Sequence, residues 1–287
     1  MSKILVADSG GTKTDWALVG EEGISFRCTT LGMHPIHLSS SRLREVVVNE
    51  LLPVLPTHVD VSAIYFYGGG CTPQMCPVVE EALRSCFPRQ TEIYVESDLL
   101  GAARALCGNS EGIACILGTG ANSCLYDGRR IVRNTPPLGY ILGDEGSGAT
   151  LGRLFLNALF KGFLPGSMRK EYLAWANTTY AEVIERVYRR PEANRYLASI
   201  APFIRERMSH EPLLEALVAD NFRAFFRRNL SSYGDCRQVG FIGGMAAAFR
   251  DILQEVTEEQ GYQLTRICKS PMEGLARYHA TFTQFSK

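Results

Sequence analysis

The sequence predicts an α/β fold built as two halves, the second interrupted by helices, and three observations carry that expectation. Apolar runs of strand length alternate with helical stretches along most of the chain. A strand that ends in a glycine turn, Asp8-Ser9-Gly10-Gly11-Thr12-Lys13-Thr14, returns in outline as Leu117-Gly118-Thr119-Gly120-Ala121-Asn122 where the second half begins. Between Ser147 and Arg228 the apolar spacing turns wholly helical, which marks an insertion.

Taken in order, Lys3 to Asp8 and Asp15 to Val19 form two strands joined through the glycines as a hairpin. Ile24 to Leu31 adds a third strand and Ser40 to Leu52 a helix. Ala63 to Tyr67 and Glu92 to Glu96 are strands, with a helix from Pro77 to Cys86 between them and another starting near Asp98. The plan repeats with strands at Ile113 to Leu117, Ser123 to Tyr126 and Arg129 to Arg133. In the insertion, Leu151, Leu154, Phe155 and Ala158 share one helical face, and Leu213, Leu214, Leu217, Phe222 and Phe225 lie on others. Strand Gln238 to Ile242, helix Ala246 to Glu258, strand Tyr262 to Ile267 and helix Met272 to Phe282 close the chain. The expected domains are 1–106 and 107–287, with the insertion at about 147–228, and the last helix could pack back on the first domain.

Size and composition agree with two globular domains: 287 residues, 46% hydrophobic and 21% charged. Thirty basic residues cancel thirty acidic ones, so no net field draws the chain to nucleic acid or an anionic membrane, and a small ligand is the expected partner. The apolar stretch Val46 to Leu55 is broken by Asn49, Glu50 and Pro53, well short of a bilayer span, and the run after Met1-Ser2-Lys3 is too short for a signal-peptide core. A cytoplasmic protein is expected. Nine cysteines, an odd number mostly scattered through apolar segments, argue for free thiols rather than a disulfide framework. Cys71 and Cys76 fit no zinc spacing and are expected to pack, and the five histidines, His34, His37, His58, His210 and His279, show no metal-binding pairing. Trp16 and Trp175 are expected to pack, and the arginines at 186, 189, 190, 223, 227 and 228 to be solvated.

The chemistry concentrates at strand ends. Asp8, two glycines and Thr12-Lys13-Thr14 put a carboxylate, hydroxyls and bare backbone into one turn, a geometry that suits phosphate. The turn at Gly118 repeats this, and Gly243-Gly244 ends another strand and opens a helix. Glu96-Ser97-Asp98 stands at a strand-to-helix junction, where Asp98 serves either as a helix cap or as a carboxylate aimed into a site. Asp144, within a glycine-rich turn, poses the same choice ahead of Ser147.

In this combination the motifs resemble the actin, hexokinase and heat-shock-protein ATP-binding superfamily, and within it the N-acetylglucosamine kinase-like and benzoyl-CoA-reductase-activator-like ATPases. The resemblance extends over nearly the whole chain and includes Gly143-Asp144-Glu145-Gly146-Ser147. It implies two ribonuclease-H-like (actin-like ATPase) domains around a central cleft that takes ATP and Mg²⁺. On that reading Gly10, Gly11, Thr12, Lys13 and Thr14 form the first phosphate motif, Gly118, Thr119 and Gly120 the second, and Gly243 and Gly244 belong to the adenosine motif. Asp8 would orient Mg²⁺ through water and Asp98 would be the general base. Asp144, with His34, Ala121, Asn122, Gly139 and Tyr140, would meet a sugar. The sequence departs from the kinases at Gly32-Met33-His34-Pro35, where the group often carries Asn near His34. The resemblance implies a kinase acting on N-acetylglucosamine or a related amino sugar; an ATPase that activates an iron–sulfur reductase and a nucleotide-binding sensor are the alternatives. The oligomeric state stays open, a homodimer included.

Overall fold

The computed structural model describes residues 3–57 and 59–283, so His58 lies outside the described residues. Contacts divide the chain into two units: Met1–Ser110 with Asp127–Ile131 and Pro271–Lys287, and Glu111–Tyr126 with Val132–Ser270. The division falls after Ser110 rather than at 106/107, because the helix ahead of it runs to Cys107 and ends on Gly108 in a positive-φ conformation. Among the described residues no helix is long and apolar enough to cross a membrane.

In the first unit β1 (Lys3–Ser9), β2 (Lys13–Gly20) and β3 (Gly23–Leu31) form a meander. After it come α1 (Ser40–Val46), β4 (Val61–Gly68), α2 (Cys76–Arg84), β5 (Glu92–Ser97) and α3 (Asp98–Cys107). The sheet order is β3-β2-β1-β4-β5. β1 runs antiparallel to β2, with Val6 opposite Ala17, and parallel to β4, with Val6 opposite Tyr65. Its continuous burial from Ile4 to Ala7 follows from lying at the centre of a sheet covered on both faces. Trp16 on β2 is buried, its ring 6.0 Å from Phe66 and its Nε1 donating to Thr30 Oγ1 at 3.0 Å, so it packs as expected. The helix expected over Ser40 to Leu52 widens into π turns at Val47–Leu51. The last helix, Met272–Thr283, belongs to this unit: His279 Nε2 meets the Tyr67 hydroxyl at 2.8 Å, and Arg104 Nη1 of α3 donates to the same hydroxyl at 2.9 Å.

The second unit repeats the plan. β6 (Glu111–Leu117), β7 (Ala121–Asp127) and β8 (Ile131–Thr135) form its meander; the third strand starts two residues later than expected because the Asp127 carboxylate accepts the amides of Arg129 and Arg130 and tightens the turn. Then come α4 (Gly139–Leu142) and the helical insertion: α5 (Gly148–Phe160), α6 (Gly166–Trp175), α7 (Tyr180–Tyr188), α8 (Ala193–Ala198), α9 (Ala201–Arg207) and α10 (Pro212–Phe225). β9 (Gln238–Ile242), α11 (Gly244–Ala248), α12 (Arg250–Glu259) and β10 (Gln263–Cys268) complete it, and α13 is the last helix already described. The order β10-β9-β6-β7-β8 is that of the first sheet, with β6 in the place of β1. Each unit is therefore ribonuclease-H-like. The helix expected over Ala246 to Glu258 is broken at buried Phe249, and Leu213, placed on an apolar face, is half exposed.

Several arginines expected to be merely solvated have partners. Arg223 bonds Glu259 and Asp220, Arg228 bonds Glu145, Arg190 bonds Glu185, and Arg186 lies over the Tyr196 ring. The half-exposed Trp175 stands 5.3 Å from the Phe203 ring.

α5 and α8 meet backbone to backbone. A Cβ at Gly152 would lie 2.7 Å from the Leu197 carbonyl carbon, and one at Gly148 would lie 3.1 Å from Ala198 Cβ. Gly152→Ala should therefore force the two helices apart and cost on the order of 2 kcal/mol. Chemical denaturation would read it: a midpoint equal to the parent's would show that this contact has slack.

Candidate functional site

Each unit presents a cluster at the carboxyl ends of its central strands, the position where open α/β sheets bind ligands. In the first unit the turn after β1 is closed by Gly10 N donating to Lys13 O at 2.9 Å, and Gly10, Gly11 and Thr12 stay exposed. Gly32 packs on this turn so closely that a Cβ there would lie 2.6 Å from Gly10 O and 2.7 Å from Thr12 N. Beneath it, Ser9 Oγ and Thr14 Oγ1 bond at 2.8 Å, Thr14 donates to Leu31 O, and Met33 N donates to Ser9 Oγ. Thr14 is thus wholly buried and braces the turn instead of offering its hydroxyl to a ligand. Lys13 pairs with Asp15 at 2.6 Å.

Asp8 and Asp98 are both recessed. Burial pushes the Asp8 carboxyl up to about 7, and the charges of Asp98 and Asp15 add to the rise while Lys13 opposes it. Asp98 is raised by burial as well, against the Leu99 amide that its Oδ1 accepts at 2.8 Å. The cap of α3 is Ser97, whose Oγ accepts from Leu100 N, so capping does not account for Asp98. Its Oδ2 lies 3.4 Å from the Cβ position of Gly69, and the His34 ring 3.6 Å from the same point. A Cβ at Gly70 would fall 2.8 Å from His34 Nε2, so the glycine pair after β4 makes room for the imidazole. His34 stacks on His37 at 4.6 Å, its Nδ1 is buried without a partner, and burial followed by the His37 charge lowers its pKa. Sequence reasoning did not include Gly69 and Gly70 in the site, although three glycines at a strand end were the available signal. Burial first, then the neighbouring Cys76 and Asp98, push the Cys71 thiol up to about 12. All nine cysteines are free, and no group of three or more His, Cys, Asp or Glu among the described residues is arranged to hold a metal.

In the second unit Gly118 N donates to Gly120 O at 2.9 Å, while Gly148 N and Ala149 N of α5 donate to the carbonyls of Gly118 and Thr119. The Cβ position of Gly243 lies 2.7 Å from the Leu117 carbonyl carbon, at a φ of 127° that favours glycine, which draws the β9 turn onto the β6 turn. Around this junction opens a cleft of about 770 Å³ lined by Gly118, Thr119, Gly148 and Gly244, with Met245 and Ala248 from α11. Ala198 of α8 and Ala201, Pro202, Arg205 and Glu206 of α9 complete its wall. The α8 and α9 residues were not foreseen, since nothing in a helical repeat pattern says which face borders a cavity.

Asp144 is buried, in a left-handed conformation at φ 55°, and its Oδ1 accepts Ala121 N at 3.3 Å. Burial raises its pKa, the Ala121 amide opposes this, and Glu145 adds to it. Ser147 caps α5, so Asp144 is no cap either. Asn221 holds the loop by accepting Gly146 N at 2.9 Å and donating to Ser147 O, another role the sequence did not announce. Asn122 spends its Oδ1 on Asn134 Nδ2 at 2.9 Å and on Ser123 N. Gly139 and Tyr140 lie in the one-turn α4, beside the exposed side chains of Leu138, Ile141 and Leu142.

Among solved structures, a candidate N-acetylglucosamine kinase from Porphyromonas gingivalis matches with a TM-score of 0.92 at 46% identity, over 97% of this chain and 99% of that one. A candidate N-acetylglucosamine kinase from Chromobacterium violaceum matches at 0.72 and 21% identity, over 96% and 98% of the two chains. The ROK hexokinase of Thermus thermophilus matches at 0.53 and 14% identity, over 99% and 100%; these last two show the likeness of fold alone. No family model and no curated protein matches the sequence.

The raised Asp8 carboxyl has a consequence for the ligand-free protein. Between its unfolded value of 3.8 and about 7 the folded state holds a proton that the unfolded state releases, so stability falls as pH rises through that window. The loss is at most about 4 kcal/mol, at about 1.4 kcal/mol per pH unit. We expect the melting temperature to fall between about pH 4 and about pH 7, and Asp8→Asn to flatten the fall. Parallel curves for parent and variant would show that Asp8 titrates normally.

Proposed function

We propose, on the premise that this chain belongs to the N-acetylglucosamine kinase-like family of the actin-like ATPase fold, that it is an ATP-dependent kinase acting on a hydroxyl of N-acetylglucosamine or a related amino sugar. The observation that carries the reading is the cleft at the Gly118 turn: its volume suits a nucleotide, and Gly118 and Gly244 line it with no side chain to obstruct a phosphate. A Cβ at Gly244 would meet nothing within 4 Å, so the room is real on that side. Thr119, exposed at the turn, offers a hydroxyl to the same space.

ATP supplies the phosphoryl group; Asp8 would hold Mg²⁺ through water, and the ion would offset the phosphate charge. Two recessed carboxylates, the charge of Asp98 adding to the rise at Asp8, suit a divalent cation, and few protein ligands are needed when phosphates provide the rest. The amides of Gly11 and Thr12, in the exposed turn that the Gly10 amide closes, bind phosphate oxygens. Asp98 takes the proton of the acceptor hydroxyl, and its raised pKa makes it a better base than an exposed carboxylate. His34, kept neutral by burial, forms the wall beside Asp98, and Asp144 accepts hydrogen bonds from sugar hydroxyls. Recognition of hydroxyls by buried polar groups is what lets such a site reject analogues lacking them.

The test is ADP release with Mg-ATP against N-acetylglucosamine, glucosamine, glucose and no acceptor. Turnover should depend on acceptor and be fastest with an amino sugar; equal release without acceptor would favour a simple ATPase. Asp98→Asn keeps the size of the side chain and should leave nucleotide affinity unchanged while slowing transfer by roughly 10²- to 10⁴-fold. A rate within about threefold of the parent would remove Asp98 from the base role.

A further inference from the structure

The helical insertion holds a second cavity, of about 390 Å³, for which the kinase reading has no use. Its floor is apolar. Leu156, Val183 and Leu197 are buried there, and Phe160 meets Tyr180 edge-on at 4.9 Å between ring centroids. Its rim is cationic: Arg153, Lys161 and Arg169 line it, all exposed, with Arg169 5.2 Å from the Phe160 ring centre. Among the described residues no acidic side chain lines the cavity, so the three charges meet no counter-charge from them within it. Arg153, Asn157 and Lys161 recur every four residues along α5 and its end, which sets them in a row on one face.

The same two helices border this cavity and the larger cleft. Gly148 at the start of α5 lines the larger cleft, and Arg153 to Lys161 line the smaller. On α8, Leu197 faces the smaller and its neighbour Ala198 the larger. The backbone contact at Gly152 and Leu197 leaves no slack between the helices, so displacement of one carries the other.

We propose that the smaller cavity is an effector site for a small amphiphilic anion, an aromatic or branched apolar body bearing one phosphate or carboxylate, and that its occupancy alters nucleotide affinity through α5 and α8. Cations around an apolar floor complement such a molecule and disfavour a neutral or purely ionic one. The coupling rests on the nucleotide reading of the larger cleft; binding to the smaller cavity does not, and the two are read separately below.

Calorimetry on the full, nucleotide-free chain tests it with phenyl phosphate and benzoate, which separate the two anion types, and with inorganic phosphate and benzyl alcohol, each carrying half of the required chemistry. One or both aromatic anions should bind, the half-probes should bind at least about tenfold more weakly, and Arg153→Gln/Arg169→Gln should weaken the aromatic anions by about tenfold or more. Both arginines are exposed, so the variant should fold, as circular dichroism will show. Hydrogen exchange should slow over α5 and α7 when the probe binds. With the probe saturating, affinity for a non-hydrolysed ATP analogue should change at least about threefold, and the analogue should change probe affinity equally. Unchanged probe binding in the variant would overturn the site. So would one-for-one competition with the analogue accompanied by protection at Gly118 and Thr119, or self-association that the variant abolishes, since the cavity would then be a contact between copies. Probe binding that leaves analogue affinity untouched would overturn the coupling, and an analogue that binds neither with nor without probe would overturn the nucleotide reading on which the coupling rests.

Discussion

Backbone packed against backbone at the ends of the first strands is the constraint on which both halves of this protein depend. Gly32 lies on the β1 turn and Gly243 on the β6 turn at distances that no side chain permits. These contacts hold each turn open to solvent on one side while its own hydrogen bond, Gly10 to Lys13 or Gly118 to Gly120, closes it on the other. A side chain at Gly32 would push the first turn off the Ser9–Thr14 hydroxyl pair beneath it. One at Gly243 would separate the β9 turn from the loop it supports, and with it part of the lining of the larger cleft.

The carboxylates follow from where those turns sit. Asp8 is the last acidic position before the first turn, Asp98 the first residue of the helix after β5, and Asp144 a strained residue held against Ala121 beside the second turn. All three are raised mainly by burial, which is how a fold holds carboxylates ready to take protons or to meet a cation. In each helix next to them a serine does the capping, Ser97 for α3 and Ser147 for α5, so the acids are left for other work.

Much of this was legible in the residues. The duplicated strand–glycine–strand pattern announced two sheets of one topology, and the observed orders match with β6 in the role of β1. Strand-ending glycines marked the turns, because period-two apolar runs stop there. What stayed hidden depends on contacts between distant segments. That Thr14 faces inward follows from the partner Ser9 and the carbonyl of Leu31. That Asn221 secures the Asp144 loop, or that Ala198 and α9 border the larger cleft, follows from packing within the insertion, where helical periodicity separates inside from outside but not one cavity from another. Phe249 breaking the helix over 246–258 has the same origin, a buried ring preferred over an unbroken ladder.

On the kinase reading a phosphoryl group moves from ATP to a sugar hydroxyl and not to water. Phosphorus-31 magnetic resonance of the protein with Mg-ATP and N-acetylglucosamine measures this directly, since a sugar phosphomonoester and free phosphate resonate apart. A growing phosphomonoester signal matched one-for-one by ADP is the predicted result. ADP accompanied only by inorganic phosphate, at a rate indifferent to the sugar, would contradict the account.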